Sequence, residues 1–293
     1  SSDLETFVSS LVVGTSGRNP ITFDNWNNSK ILAYWKYDDA TKPGKDSHSW
    51  LGRLNNIRTA LQGQQGDRRL RLGIAGGEWK KMMADATART RFASEVKKII
   101  EQYDFDGVDF DFEWPANASE YNNYSATVIQ MRSTLGKYVY FTASLHPVSF
   151  KISPEAIDAL DFISYQCYGP AVMRFPYEQF VKDGEAAVAY GIPKNKLVMG
   201  VPFYGSTGSL IAAYCDFVND GLATTNEDTY TYKGNTYTFN SIETIRKKAR
   251  YVCEEDYAGI MSWDLATDID ITNNKSLLKV IKEEFEYYAN PTE

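Results

Sequence analysis

The segment Asp106-Gly107-Val108-Asp109-Phe110-Asp111-Phe112-Glu113-Trp114-Pro115 alternates three carboxylates with three apolar residues. A period of two is that of a β-strand, whose successive side chains point to opposite faces. One face then carries Val108, Phe110 and Phe112 into a core. The other carries Asp109, Asp111 and Glu113 in single file, with neighbours about 6.5–7 Å apart. Carboxylates at that spacing repel one another, so the file is costly unless it shares protons, meets a cation or serves a reaction. Asp is depleted in strands, and two in mid-strand break a local rule, as functional sites tend to. Three readings follow. The file does acid–base chemistry with coupled protons, or holds a hard cation such as Mg²⁺ or Ca²⁺, or is a solvated strand face. The two histidines, His48 and His146, lie far from the motif in sequence, which disfavours a Zn or Fe centre. Three acids along one strand suit proton sharing better than octahedral coordination, so neither a metal nor a cofactor is expected.

Such a strand needs neighbours. Strand-like runs fall at 11–15, 31–37, 70–75, 138–145, 162–167 and 197–203. Helix-like periodicity falls between them, at 50–62, 90–103, 121–135, 154–160 and 180–190. Ser153 is the expected cap of the 154–160 helix, with Pro154 in its first turn. Alternation of strand and helix implies a parallel sheet. The interval 206–256 breaks the rhythm: 230–239 reads as a hairpin turning at Gly234-Asn235, followed by a helix over 241–251.

A chain of 293 residues suits one (β/α)8 TIM barrel or two smaller domains. A net charge of −7 disfavours nucleic acids and acidic polysaccharides, whereas a neutral polymer meets no penalty. Aromatic residues make up 14% of the chain and 20 of them are Tyr, which fits stacking on sugar faces or a large aromatic core. Three cysteines, Cys167, Cys215 and Cys253, give no disulfide framework, and a Cys215–Cys253 bridge stays open. No run reaches membrane-spanning length. The opening Ser1-Ser2-Asp3 reads as a mature or trimmed start; a secreted, cell-surface or periplasmic location and a monomeric state are expected.

The acid motif resembles the signature of glycoside hydrolase family 18, the chitinases and their relatives. Other stretches are similar in the right order. Ala75-Gly76-Gly77-Glu78-Trp79 resembles the end of the third barrel strand, and Ile163-Ser164-Tyr165-Gln166-Cys167-Tyr168-Gly169 the sixth. Lys196 to Gly205 resembles the seventh strand and Gly259-Ile260-Met261-Ser262-Trp263-Asp264 the eighth. The resemblance implies a single catalytic TIM barrel over residues 1–293, the 11–15 run being its first strand. Its insertion, at about 206–256, is shorter than the family's full insertion domain and implies a low cleft wall.

In that family the substrate's acetamido oxygen is the nucleophile and an oxazolinium ion the intermediate. The resemblance assigns Glu113 as general acid and then base, and Asp111 as holder of the acetamido N–H. Asp109 exchanges a proton with Asp111 from beneath, and Tyr165 donates its hydroxyl to the acetamido group. Trp263 is the floor of the reactive subsite. Gln166, Met199, Tyr204, Trp114, Gly76 and Gly77 join it in substrate binding, and Tyr34, Trp35 and Trp79 offer further rings. Three residues depart from the common pattern: Gln166 where Asp or Asn is frequent, Ile74 where Ser is, and Ser206 where Arg is. The implied function is retaining endo-hydrolysis of β-1,4-linked N-acetylglucosamine polymers, chitin or chito-oligosaccharides. Two rivals remain. One is an endo-β-N-acetylglucosaminidase cutting N-glycan cores. The other is a chitinase-like lectin that binds without cleaving, a class that usually loses the residue equivalent to Glu113. Asp109 favours the chitin reading over the glycan-cutting one.

Overall fold

The structure, a computed structural model, describes residues 69–75, 79–169, 171–223 and 226–289. The runs at 11–15, 31–37 and 50–62, and Tyr34, Trp35, Gly76 and Gly77, lie outside the described residues. The described residues divide into two compact units, one of 69–144 with 151–161 and the other of 145–150 with 162–289.

The first unit is built on three parallel strands, β1 (Arg71–Ile74), β2 (Gly107–Phe110) and β3 (Tyr140–Leu145), with β2 between the other two. Helices α1 (Trp79–Ala84), α2 (Ala86–Tyr103), α3 (Ala118–Leu135) and α4 (Pro154–Ala159) connect or follow them. The sequence predicted α2 from residue 90, but it begins four residues earlier. The Asp85 carboxylate accepts the Ala88 N–H at 2.8 Å and caps a first turn that carries no apolar periodicity. Asn117 caps α3 in the same way, and Ser153 caps α4 as expected.

The apolar face of the acid strand is a fully buried aromatic stack. Val108, Phe110 and Phe112 are at most 1% exposed. Phe110 lies 4.8 Å from Phe141 and 5.2 Å from Phe112, ring centre to ring centre, in edge-on geometry. Phe92 of α2 and Trp79 of α1 close over them. Each such ring contributes about 1.5–3 kcal/mol on burial, which anchors the strand that carries the acids.

The second unit holds the parallel strands β4 (Phe162–Tyr165), β5 (Leu197–Pro202) and β10 (Gly259–Trp263), with β5 in the middle. Helix α5 (Tyr177–Tyr190) joins β4 to β5. A four-stranded antiparallel sheet follows, in the order β7 (Ile211–Ala213), β6 (Tyr204–Ser206), β9 (Asn235–Thr238), β8 (Thr229–Tyr232). Helix α6 (Tyr214–Asn219) sets Phe217 against the rings of Tyr230, Tyr232, Tyr237 and Phe239. The hairpin turns at Lys233-Gly234, one residue before the expected pair. Both residues have positive φ, 48° and 77°, as a type I′ turn requires. Tyr232 pairs with Asn235, which places Asn235 in the strand. Helices α7 (Ile242–Glu254) and α8 (Leu277–Ala289) complete the unit. Cys167, Cys215 and Cys253 are all free thiols, so the bridge left open by the sequence does not form.

Lys248 of α7 is fully buried, and its nitrogen donates to the Phe175 carbonyl and to Asn240 Oδ1, both at 2.7 Å. Burial pushes its pKa down to about 7, against about 10.4 in an unfolded chain. Between those values the unfolded chain binds more protons, so this site's contribution to stability rises with pH. The unfolding free energy of the wild type minus that of Lys248→Met therefore increases from pH 7 toward pH 10. Denaturant titrations across that range that give a constant difference contradict this.

Gly107 opens β2, where a Cβ would stand 2.1 Å from the Tyr140 backbone oxygen. Gly107→Ala is expected to destabilise the protein by about 3 kcal/mol, read as a drop in unfolding midpoint. A midpoint near that of the wild type would show that β2 and β3 separate at little cost.

Candidate active site

The ladder of β2 ends at Phe110, yet the alternation runs on. The Asp111 N–H donates to the Ile74 carbonyl at 2.8 Å, which continues the pairing with β1 by one residue. Phe112 remains buried, while Asp111 is half-buried and Glu113 is exposed. Asp109 and Asp111 are thus half-buried, and the expected proton donor, Glu113, is the exposed member of the file. The Glu113–Trp114 peptide bond is cis. Trp114 is half-buried beyond it. Glu120 of α3 accepts from Lys80 of α1 at 2.7 Å and from the Ala116 N–H at 2.8 Å, which fastens the chain just after the acid strand. The Lys80 hydrogen bond is also the main reason that Glu120 titrates below its ordinary range.

Asp109, deepest of the three, is surrounded by donors. Its Oδ1 accepts from Thr142 Oγ1 and, at 3.3 Å, from Arg71 Nη1; its Oδ2 accepts from Ser144 Oγ at 2.9 Å. Arg71 Nη1 also donates to Thr142 Oγ1. The registers explain the convergence. Asp109 pairs with Gly73 on one side and Thr142 on the other, so residues two apart on β1 and β3, Arg71 and Ser144, face the same side. Tyr124 of α3 is completely buried, edge-on to Trp79 at 6.0 Å, and its hydroxyl has no hydrogen-bond partner among the described residues. Burial, and then the charges of Asp109 and Asp111, push its pKa well above the ordinary tyrosine value, so it keeps its proton next to the file.

Sequence reasoning placed the acids and missed this surround. The signal was present as polar residues at positions 142 and 144 within an otherwise apolar strand, and as an Arg in the short strand at 71–74.

In the second unit Tyr165 ends β4, fully buried and edge-on to Phe150 at 5.8 Å. Gln166 is also buried, its N–H donating to the Leu145 carbonyl at 2.8 Å. Tyr204 is 7% exposed, and its hydroxyl donates to the Gly169 carbonyl at 3.2 Å. It packs with Tyr168, Phe175 and Met261, and the Tyr168 hydroxyl meets Met261 Sδ at 3.4 Å. Met199 has no exposed surface, and its terminal methyl lies against Gly184 of α5, in the packing between β5 and that helix. Trp263 differs from these. It stands at the end of β10 with 55% of its surface exposed.

His146 was not singled out as a site residue, and the structure gives it a structural place. Its Nδ1 accepts the Val148 N–H at 3.2 Å and its Nε2 lies 2.9 Å from the Tyr168 carbonyl, so the neutral ring carries its proton on Nε2. Burial lowers its pKa and keeps it neutral. Among the described residues no group of three or more His, Cys, Asp and Glu side chains is arranged to hold a metal. No described helix is long and apolar enough to cross a membrane.

Comparison with known proteins gives a consistent result. Probable chitinase 2 of Drosophila melanogaster is 23% identical over 297 aligned positions, covering 74% of this chain and 60% of the fly protein. The chain therefore spans less than two thirds of that relative. The class V chitinase of Arabidopsis thaliana is 24% identical, covering 67% of this chain and 69% of its own length. Among solved structures, the family 18 chitinase ChiB from the chitin utilization locus of Flavobacterium johnsoniae superposes with a TM-score of 0.68 and 26% identity, covering 79% of each chain. The fold class is the α/β barrel expected from the sequence. Residues 18–268 match the family described as Glycosyl hydrolases family 18. With its acid strand, flanking strands and fold in agreement, the chain belongs to glycosyl hydrolase family 18.

Proposed function

We propose that this protein is a retaining endoglycosidase that hydrolyses β-1,4-linked N-acetylglucosamine polymers, chitin or its oligomers, through substrate assistance. The observation that carries this reading is the intact acid file, graded from donor-bound Asp109 to exposed Glu113 on a strand locked by aromatic packing. Its support from relatives is that proteins named chitinases align with most of the chain.

In this mechanism Glu113, the outermost acid, protonates the glycosidic oxygen as the bond to the leaving sugar breaks. The substrate's acetamido oxygen attacks the anomeric carbon from the other face and forms an oxazolinium ion. Asp111 accepts the acetamido N–H and balances the positive charge as it develops. Glu113, now ionised, takes a proton from the water that opens the ring, so the anomeric configuration is retained. Tyr165 orients the acetamido group through its hydroxyl, and Trp263 supplies an apolar face beneath the reacting sugar. No step calls for a metal. Retention of Glu113 supports hydrolysis over lectin-like binding.

Glu113→Gln should lower turnover of acetylated chito-oligosaccharides by about 10² to 10⁴, while the melting temperature changes little because the side chain is exposed. Near-normal turnover in that variant removes Glu113 from the mechanism. A product profile on chito-oligosaccharides and on a high-mannose glycoprotein, run side by side, tests the substrate. Release of glycans with chito-oligosaccharides left intact would make the protein an N-glycan endoglycosidase. Fully deacetylated chitosan should resist cleavage in either case.

Because Trp263 is largely exposed, Trp263→Ala should raise KM for short oligomers, with a stability loss well below the 3–5 kcal/mol expected for truncating a buried Trp. A large fall in melting temperature with unchanged kinetic constants would assign Trp263 to packing instead.

A further inference from the structure

Among the described residues eleven large hydrophobic side chains are exposed, and six of them follow the C-terminal ends of parallel strands. Val148 follows β3, Met173 follows β4, Leu210 and Ile211 follow β5, and Trp263 and Leu265 stand at and beyond the end of β10. All six belong to the second unit and are between 48% and 66% exposed. Parallel strands end on one edge of their sheet, so the six gather there. The segments that carry them are joined. The Gln166 N–H donates to the Leu145 carbonyl, and the Phe203 N–H to the Trp263 carbonyl, both at 2.8 Å. Phe175, two residues past Met173, packs on Tyr204 with ring centres 5.6 Å apart. The tip of the β6–β7 hairpin is tightly turned. The Thr207 N–H donates to the Leu210 carbonyl and the Leu210 N–H to Thr207 Oγ1, each at 3.0 Å, and Gly208 supplies a φ of 94°. The turn thus holds Leu210 and Ile211 in solvent.

Single exposed apolar residues need no explanation, but a cluster of them marks a contact surface. Strand β7 is moreover the edge of its sheet, where a charge ordinarily guards against wrong pairing, and Ile211-Ala212-Ala213 has none. The surroundings are equally bare of charge. No Asp, Glu, Lys or Arg occurs at 145–150, 162–173, 197–215 or 257–263, in a chain that is 24% charged. Arg174, at the border of this surface, is spent on Asp183 at 2.7 Å. A nucleic acid or an anionic membrane would call for cations, and a protein partner for a charged rim. A neutral polymer of acetylated sugars, with C–H ring faces and acetamido methyl groups, matches an aliphatic surface without charges. The patch is also continuous with Trp263, the ring placed beneath the reacting sugar. The three residues of β6 and the three of β7 carry Leu210 and Ile211 about 10 Å along from Tyr204, so a substrate that touches them extends past that sugar. We propose that these strand-end loops form a second contact surface that holds the ordered face of solid chitin, several chains side by side, while one chain enters the site. The inference rests on the hydrolytic reading above and specifies the physical form of its substrate. Leu210, Ile211 and Met173 then touch neighbouring chains and take no part in the chemistry.

The test is an adsorption isotherm on washed particulate chitin, taken in the Glu113→Gln background so that the solid is not consumed. Adding Leu210→Ser and Ile211→Thr together should weaken adsorption by about tenfold. The same pair in the otherwise unchanged chain should leave kcat/KM on a short soluble chito-oligosaccharide at the wild-type value. Adsorption of the parent should not weaken as salt is added, since no ion pair contributes to it. Unchanged adsorption in the double variant overturns the proposal. An equal loss on short soluble oligomers also overturns it, because the hairpin then belongs to the site that takes a single chain. A wild-type dimer in sedimentation that the double variant dissociates assigns the patch to a second copy and overturns it as well. Should the double variant melt lower than its parent, Met173→Gln carries the test on the same isotherm. It should weaken adsorption by about threefold, and an unmoved isotherm overturns the proposal. A wild type that cleaves neither soluble nor solid substrate refutes the hydrolytic reading itself. A wild type that cleaves soluble oligomers, with adsorption unaffected by the substitutions, refutes only this surface.

Discussion

The structure depends on one strand that must satisfy opposite demands on its two faces. Val108, Phe110 and Phe112 are driven into an aromatic core, which fixes the strand's register and height. The same pleat then forces Asp109, Asp111 and Glu113 into one column. Nothing in a β-strand relieves repulsion along such a column, so the relief comes from neighbouring strands. The parallel register sets Thr142 beside Asp109, and the pleat brings Ser144 and Arg71 to the same side. Asp109 takes donors on both carboxylate oxygens, while Glu113 stands at the exposed end of the file. Different surroundings along a file of carboxylates make them chemically unequal, and inequality is what a division of labour among acids requires.

The second unit deals with its polar groups differently. After β4 the chain is held by backbone carbonyls. His146 holds the carbonyl of Tyr168, Tyr204 that of Gly169, and Lys248 that of Phe175. A side-chain donor thus reaches three carbonyls between residues 168 and 175, in a segment with little regular hydrogen bonding of its own. Tyr165 and Gln166, immediately upstream, inherit the order imposed on that segment. Tyr204 and Met199 are packed inside this unit, Tyr204 against Tyr168, Phe175 and Met261, and Met199 against Gly184.

Much of the fold was legible because its signals are local. The period of two marked the acid strand, Ser153-Pro154 marked the start of α4, and apolar spacing marked α2 and α3. Signals that act across space were not legible. Helix α8 begins at Leu277, where Ser276 caps it by accepting the Lys279 N–H at 3.1 Å, but its first two N–H groups are taken by Asp268, nine and ten residues upstream, a partner that no local pattern announces. The hairpin position was readable to within one residue, since Gly234 had to occupy the turn but the strand pairing decided which neighbour joined it. At the candidate site the acids could be named from the motif. Arg71 could not, because its meaning arises only from a register between strands more than thirty residues apart. Gly76 and Gly77 lie outside the described residues, and their contribution rests on resemblance.

All three cysteine thiols are unpaired. Burial raises the pKa of each of these thiols, so all are poor nucleophiles at neutral pH. No disulfide therefore holds the loops, and the four-stranded sheet stays together through its strand pairing, its aromatic cluster and the hairpin turn. The consequence is indifference to redox conditions. The chain can fold the same way under reducing and oxidising conditions, with no oxidative step on its path and no bridge to shuffle or lose. The packing of Phe217 against its ring neighbours is a contribution to stability that thiol reagents leave untouched.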